Sequence, residues 1–279
     1  MKTLYIFNTQ AKKARFLKAK IKKTLENMGL SGQFAEVSKR GEAQKIASLA
    51  LTKDIDRVVA IGGDGMINDI IQVLAYQPIE FGVIPIGDNN LVAHLIGINS
   101  WMNGCMALKN GETIEMDLGL YDDRYFTASI EIEGKQTAKK SGFIASRLKK
   151  PVISYYPMTI DLKKEGSSLH IQADISRLTI SPFPFGGRGH SQDFLTDQLL
   201  HIQIKSRPED LNNKKTRPET TVVEGDYLEI SGKTGLQIKA DGENSGKTPV
   251  VIKVAPKALK VLVPQDKNAT PTSNLAQSE

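Results

Sequence analysis

Short apolar runs alternate with amphipathic stretches over the first 118 residues of the chain. Apolar runs of strand length cover residues 3–7, 58–61 and 81–86, and a further strand is predicted near 33–37. Helical spacing of apolar residues predicts a helix between the first two strands, another at about 41–51, and a third after the glycines that follow residue 61. This alternation predicts a mostly parallel sheet covered by helices on both faces, with ligands at the carboxyl ends of its strands.

After Asp117-Leu118-Gly119 the pattern changes to short alternating runs separated by turn residues. Strands are predicted at 125–133, 152–163, 168–180, 199–205, 227–231, 236–240, 250–254 and 259–263. We therefore predict an α/β domain at 1–118 and a β-rich, sandwich-like domain at 119–264, whose final strand either stays there or returns to the first domain. Residues 206–222 are predicted to form a mobile polar loop and residues 265–279 a disordered tail.

A glycine-rich turn, Gly62-Gly63-Asp64-Gly65, joins the strand at 58–61 to the following helix. Glycines let the backbone approach a ligand closely, and the free N–H groups of a helix start bind anions, so this turn predicts a phosphate site. Asp64 adds a negative charge that requires a bound cation or a proton transfer. Asn8 and residues 87–90 also follow strand ends, and we expect them to line the same crevice.

Composition narrows the possible compartment and partners. Cys105 is the only cysteine, and no signal peptide or long apolar stretch opens the chain, which predicts a cytoplasmic protein with at most peripheral membrane contact. Aromatic residues make up only 6% of the chain, and they do not interleave with basic residues. Nucleic acid is therefore not an expected partner. The oligomeric state is left open, with a homodimer among the alternatives.

The net charge of +6 is concentrated in the first predicted helix. Its basic residues precede the first acid of that helix, Glu26, and are Lys12, Lys13, Arg15, Lys18, Lys20, Lys22 and Lys23. Two interpretations remain. The first, which we favour, is a solvated outer face of an amphipathic helix. The second is attraction to the anionic headgroups of a membrane, where each basic residue contributes on the order of 1 kcal/mol.

Several motifs accompany the glycine turn in a fixed order. They read Gly-Gly-Asp-Gly-Met-Ile-Asn-Asp at 62–69, Ile-Pro-Ile-Gly-Asp-Asn-Asn-Leu-Val-Ala at 84–93, Phe-Gly-Gly-Arg-Gly at 185–189, Asp-Gln-Leu-Leu at 197–200 and Asp-Gly-Glu at 241–243. With Asn8 at the end of the first strand, this series resembles the diacylglycerol kinase catalytic-domain family, which includes bacterial diacylglycerol kinase-like lipid kinases and sphingosine kinases. The resemblance extends to about Pro264 and implies a three-layer nucleotide-binding domain followed by the β-rich domain, as in NAD kinase-like folds.

The resemblance implies an ATP- and magnesium-dependent kinase that transfers the γ-phosphoryl group to the hydroxyl of a lipid alcohol such as diacylglycerol. Asp64 would hold magnesium against the phosphates. The implied nucleotide site consists of Asn8, Ser38, Gly62, Gly63, Asp64, Gly65, Met66, Asn68, Asp88 and Asn90. Without the resemblance, the glycines could form a plain strand-to-helix turn, and Ser38 could equally cap a helix.

Carboxylates in the second domain complete the implied chemistry. Glu243 is the first candidate for the base that accepts the proton of the lipid hydroxyl, with Asp241 orienting it or binding metal. The alternative is that Asp241 and Gly242 simply suit a hairpin turn. Asp197 resembles a structural magnesium ligand of the family, with the main-chain carbonyls of Phe194 and Leu199 as partners.

Some positions differ from the family motifs. Met66 and Asp88 replace threonines, Leu91 replaces an aspartate, and residues 9–12 lack the Pro-x-Ser-Gly sequence that follows the asparagine. A lost hydrogen bond from a hydroxyl to a charged group costs about 1.5–3 kcal/mol. These differences keep a second interpretation open, a lipid- or nucleotide-binding pseudokinase of the same fold. An NAD kinase-like enzyme is the less favoured alternative.

Overall fold

Parallel strands form the centre of the first half of the chain. The computed structural model describes residues 1–133, 154–185, 192–207, 218–232 and 235–265. In it β1 (Thr3–Asn8) lies between β2 (Gln33–Val37) and β3 (Arg57–Gly62), and β3 pairs with β4 (Glu80–Pro85). All three pairings are parallel, so the carboxyl ends of these strands meet at one edge of the sheet, as the sequence predicts.

Helices cover both faces of this parallel sheet. On one face, α1 (Ala14–Asn27) and α5 (Trp101–Asn110) pack their buried side chains against β1, β3 and β4. On the other face lie α2 (Glu42–Ala50), α3 (Asp64–Leu74) and the short α4 (Leu91–Leu95). The predicted three-layer α/β arrangement is confirmed. Helices α4 and α5 are not part of the sequence-based prediction.

The second half of the chain is β-rich, as predicted. Its strands are β5 (Glu112–Tyr121), β6 (Arg124–Phe126), β7 (Ile130–Glu133), β8 (Tyr156–Lys164), β9 (Ser167–Ser181), β10 (Leu200–Ser206), β11 (Glu219–Gly225), β12 (Tyr227–Gly232), β13 (Gln237–Ala240), β14 (Glu243–Lys247) and β15 (Val250–Val263). A separate core of buried aliphatic side chains fills this half, with Phe126 as its largest fully buried member. Among the described residues, no helix has the length and apolar character needed to cross a bilayer.

Strand β15 joins the two halves. It pairs in parallel with β4 and antiparallel with β5 and β12, so the pairing is continuous from one half to the other. The predicted boundary near residue 118 falls inside β5, and the division into two domains stays a prediction. The predicted tail beyond Gln265 and the glycines at 186–189 lie outside the described residues.

Several individual strands differ from the prediction. The predicted strand at 125–133 is wrong, because residues 127–129 separate β6 from β7, and β5 is not part of the prediction. The predicted strands at 250–254 and 259–263 are parts of β15, because an irregularity between Ala255 and Leu259 interrupts the alternation without ending the strand. Residues 219–222, predicted as loop, belong to β11. The polar sequence of β14, which has no apolar alternation, gave no strand signal.

A buried carboxylate supports the irregular part of β15. Asp117 in β5 is 1% exposed. Its Oδ1 accepts a hydrogen bond from the Lys257 N–H at 2.7 Å, and its Oδ2 accepts one from the Gln198 N–H at 2.6 Å. Burial raises the pKa of the Asp117 carboxyl, and the two N–H donors oppose that rise. Asp117 therefore connects the β15 irregularity to the loop before β10.

We expect Asp117→Asn to destabilise the protein by about 1–3 kcal/mol, because an amide has only one acceptor oxygen and one buried N–H group would lose its partner. Chemical unfolding monitored by circular dichroism measures this change. Asp122→Asn is the matched control, since Asp122 is exposed in a turn, and it should change stability by less than about 0.5 kcal/mol. Equal stability of Asp117→Asn and wild type would show that the two hydrogen bonds are unimportant.

Candidate active site

The glycine turn and the loop after β4 are in close contact. Gly63 has an extended backbone and precedes α3, whose first free N–H groups lie at the carboxyl end of the sheet. A Cβ atom at Gly87 would lie 2.6 Å from the Cα of Gly63, too close for any side chain. The two glycines therefore let the loops after β3 and β4 pack backbone against backbone, and with the start of α3 they form a glycine-lined cradle of the kind that suits phosphate.

Asp64 and Asn90 fix the shape of this cradle. Asp64 Oδ1 accepts a hydrogen bond from the Val92 N–H at 3.1 Å. Asn90 has a left-handed backbone with φ 52°, and its side-chain amide both accepts from the Gly87 N–H and donates to the Gly87 carbonyl. Asn90 thus closes the loop itself, and Asp64 keeps its second carboxylate oxygen for another partner.

Met66 lies beneath the cradle. It is 7% exposed, and its Cε would lie 2.5 Å from a Cβ atom at Gly62. Asn8, which follows β1, contacts the same point through its Cβ and accepts a hydrogen bond from the Gln10 N–H at 2.9 Å. The thioether of Met66 is therefore part of the core, so at this position the chain has replaced a polar contact with packing.

Asp88 is paired with a lysine. Its carboxylate lies 2.8 Å from the Nζ of Lys12, and this hydrogen bond raises the pKa of the Lys12 ammonium. Lys12 occupies the loop after β1, where the family motif has Pro-x-Ser-Gly. Asp88 puts a negative charge at a position where the family motif has an uncharged threonine, and Lys12 supplies a neighbouring positive charge.

Asp241 and Gly242 form the turn of the β13–β14 hairpin, with φ values of 49° and 82°. The hairpin interpretation of Asp-Gly is therefore confirmed. The Asp241 carboxylate also accepts four hydrogen bonds, from the N–H groups of Thr127, Ala128 and Ser129 and from the Thr127 hydroxyl. It holds the connection between β6 and β7 in place.

Helix α3 binds the same connection from the other side. The Asn68 Oδ1 lies 3.2 Å from the Thr127 hydroxyl, which shares its single proton between Asn68 and Asp241. One turn later, the Gln72 amide exchanges hydrogen bonds with the N–H and carbonyl of Tyr125. Asn68 thus connects the helix that begins at the glycine turn to the segment that holds Asp241. This role differs from the predicted contact with nucleotide, which stays a prediction.

Glu243 lies over the start of α3. Its Oε1 is 3.8 Å from the position of a Cβ atom at Gly65. Its Oε2 accepts a hydrogen bond from the guanidinium of Arg40, which lies in the loop before α2. The structure therefore brings the glycine turn and the Asp-Gly-Glu motif to one place. Arg40 joins them there from a loop 203 positions before Glu243 in the sequence. Sequence reasoning missed Arg40, whose only signal was a basic residue beside Ser38.

Ser38 is exposed in that same loop. Glu42 accepts hydrogen bonds from the N–H groups of Ser38 and Lys39, and these bonds lower the pKa of the Glu42 carboxyl. The Gly41 N–H donates to Asp69 Oδ2 on α3 at 3.1 Å. The loop is therefore attached to α3, and Glu42 bonds to its backbone. Within the described residues Gly41 is the N-cap of α2 and no side chain caps it, so the capping alternative for Ser38 is wrong.

At the predicted second magnesium site, the carboxylate of Asp197 bonds to protein groups. Asp197 Oδ1 accepts a hydrogen bond from the Leu199 N–H at 3.0 Å, and its Oδ2 lies 3.1 Å from His201 Nε2. Phe194 lies nearby in a 3₁₀ helix, Gln192–Leu195. Both Asp197 oxygens already have protein partners. Among the described residues, no three His, Cys, Asp or Glu side chains form a metal-binding group. Magnesium at Asp197 stays a prediction.

Comparisons with known proteins agree with these motifs. Residues 2–121 match the diacylglycerol kinase catalytic domain, and residues 213–263 match the YegS C-terminal NAD kinase beta sandwich-like domain. A protein named diacylglycerol kinase from Staphylococcus haemolyticus is 26% identical, with 87% of this chain and 81% of the relative covered. One from Staphylococcus aureus strain bovine RF122 is 27% identical, with coverages of 87% and 85%.

A solved structure described as a diacylglycerol kinase from Bacillus anthracis has the same fold. It superposes with a TM-score of 0.71 over 94% of this chain and 96% of that chain, at 17% identity. The sequence matches and the ordered motifs lead to one conclusion: residues 2–121 are a diacylglycerol kinase catalytic domain, and the chain is a kinase-type phosphotransferase.

Proposed function

We propose that the protein is an ATP- and magnesium-dependent lipid kinase that phosphorylates the hydroxyl of a lipid alcohol such as diacylglycerol. The observation that carries this proposal is the position of the Glu243 carboxylate over Gly65 at the start of α3. A candidate proton acceptor thus lies beside a cradle suited to phosphate. The relatives named diacylglycerol kinase support the choice of a lipid substrate.

The cradle fits the phosphates of ATP. Gly63 and Gly87 let the two loops approach each other with no side chain between them, and the α3 start offers N–H groups to an anion. Magnesium commonly binds through one or two carboxylates together with substrate phosphates, and within the described residues only Oδ1 of Asp64 accepts a protein hydrogen bond. Magnesium would supply charge neutralisation at the β- and γ-phosphates. Asp64 is therefore its proposed protein ligand.

Glu243 would accept the proton of the lipid hydroxyl. As the hydroxyl oxygen bonds to the γ-phosphorus, the bond from that phosphorus to the bridging oxygen breaks, and ADP leaves with its electron pair. Asp241 has both oxygens engaged by residues 127–129. We therefore assign Asp241 a positioning role, in which it fixes the hairpin that carries Glu243.

The pseudokinase alternative is less well supported by the environment of the divergent residues. Met66 packs into the core beneath the turn, and Asp88 pairs with Lys12. Neither side chain fills the cradle. Leu91 begins α4 and is 48% exposed, so it lines no buried polar site. An NAD kinase-like activity has no separate observation in its favour.

Glu243→Gln should lower the rate of lipid phosphorylation by about 10²–10⁴-fold, the usual contribution of a general base. Transfer from labelled ATP to a panel of lipid alcohols in mixed micelles with magnesium measures this rate. Glu165→Gln, in the β8–β9 turn, is the matched control and should retain the wild-type rate. Absence of transfer to any lipid by the wild type, together with absence of magnesium-dependent ATP binding, would refute the kinase proposal.

We also propose that the kinase works at an anionic membrane surface, which α1 would contact. Lys18 pairs with Glu36, and Lys22 lies over the Phe34 ring. The outer residues Lys13, Phe16, Lys20 and Lys23 are exposed, with Phe16 at 73%. An exposed aromatic side chain between lysines suits the boundary between headgroups and acyl chains.

The combined change of Lys13, Lys20 and Lys23 to Gln should weaken binding to vesicles containing anionic phospholipid by at least about tenfold, given on the order of 1 kcal/mol per lysine. Vesicle sedimentation measures the binding, with neutral vesicles for comparison. The control is a triple change of Lys53, Lys109 and Lys247 to Gln, because it lowers the net charge of the protein by the same amount outside α1. Equal loss in the two triple variants would mean that α1 is not the contact surface.

A further inference from the structure

Arg40 pairs with Glu243 in the cleft between the glycine turn and the β13–β14 hairpin. The two motifs that meet there carry three carboxylates, those of Asp64, Asp241 and Glu243. Within the part of the chain that the structure describes, Arg40 is the one cationic side chain bonded to any of them. A guanidinium so close to a helix start lies where the phosphates of a nucleotide would arrive.

The backbone beside Arg40 is anchored to the helix that begins at the cradle. Gly41 donates its N–H to Asp69 on α3, and Glu42 accepts the N–H groups of the two residues that precede Arg40. The Arg40 side chain itself is 75% exposed, and that of Glu243 is 45% exposed. Arg40 therefore combines a fixed backbone with a side chain that is free to reorient.

The ion pair is weak enough to be exchanged. An exposed pair contributes little to stability, because water screens both charges. Phosphate offers a guanidinium several charged oxygens and allows two parallel hydrogen bonds, which are stronger than ordinary ones. A nucleoside triphosphate would thus compete successfully with Glu243 for Arg40.

We propose that Arg40 exchanges partners when nucleotide binds. Without nucleotide, its guanidinium pairs with Glu243. With a nucleoside triphosphate in the cradle, the guanidinium donates to oxygens of the terminal phosphate and releases the Glu243 carboxylate to accept the hydroxyl proton. This inference rests on the proposed function, because it requires that the cleft binds a nucleoside triphosphate. It adds a phosphate-binding residue that couples nucleotide binding to release of the base.

Equilibrium binding of a non-hydrolysable ATP analogue, with magnesium and without lipid, tests the exchange. Arg40→Gln should weaken analogue binding about tenfold or more, since loss of a charge-assisted contact approaches the energy of one tenfold step. ADP, which lacks the terminal phosphate, should lose much less. Arg40→Lys keeps the charge without the planar fork, so its affinity should be intermediate.

Glu243→Gln gives a prediction of opposite sign. Removing the competing carboxylate should tighten analogue binding severalfold, and this gain should vanish in the Arg40→Gln/Glu243→Gln double variant. Arg207→Gln is the matched control, because Arg207 is also exposed and paired with an acid, Asp174, in the β-rich half. Its affinity for the analogue should equal that of the wild type.

The outcomes separate the two proposals. If the wild type binds the analogue and Arg40→Gln binds it equally well, the exchange is refuted and the kinase proposal survives. If Glu243→Gln fails to tighten binding while Arg40→Gln weakens it, Arg40 binds phosphate without competing with Glu243, which also refutes the exchange. If the wild type binds no analogue, both proposals are refuted.

Discussion

The hydrogen bonds to the Asp241 carboxylate determine where the two halves of the candidate site lie. Three consecutive N–H groups and one hydroxyl of residues 127–129 converge on its oxygens. Asn68 of α3 contacts Thr127 of this segment, and Gln72 of α3 bonds to Tyr125 in the preceding strand β6. Because α3 begins at the glycine turn, a single chain of contacts runs from the phosphate cradle to the hairpin of Glu243. The backbone pairing of β13 with β7 and the exposed ion pair between Glu243 and Arg40 also hold this hairpin in place.

The second constraint on the cleft is its charge. Phosphate and carboxylate repel each other, so a site that must hold both needs cations at defined places. Lys12 lies beside Asp88 and Arg40 beside Glu243. Each lies in a loop that follows a parallel strand, where side chains from distant parts of the sequence come together. The chain has thus lost hydroxyls of the family motifs while keeping basic residues next to its additional acid and its proposed base.

Local patterns predicted the parts of the fold that local physics decides. Apolar runs and helical spacing identified the parallel strands and the helix after Gly65, and the change of pattern near Asp117 identified the β-rich half. Motif order identified the family. Continuity of β15 was missed because its irregularity depends on Asp117, a residue 140 positions away from Lys257. Arg40 was missed for the same reason, since its partner Glu243 is adjacent only in the folded chain.

The burial of Met66 is a further case in which the sequence did not predict what a side chain contacts. The sequence places it at a nucleotide-contacting position, whereas its side chain packs against Gly62. Direction of a side chain at a helix start depends on the neighbouring strand and cannot be inferred from motif alignment. The functional meaning of a substituted motif residue is therefore decided by what the residue contacts.

The central claim is that the glycine turn and the Asp241-Gly242-Glu243 hairpin form one site for the phosphates and their acceptor. The most direct test is oxidative backbone cleavage by ferrous iron carried into the protein by ATP in place of magnesium, with the cut sites mapped by mass spectrometry. The account predicts cleavage both near residues 62–66 and near residues 241–243, which excess magnesium-ATP suppresses. Cleavage confined to one segment, or an unchanged pattern without ATP, would contradict it.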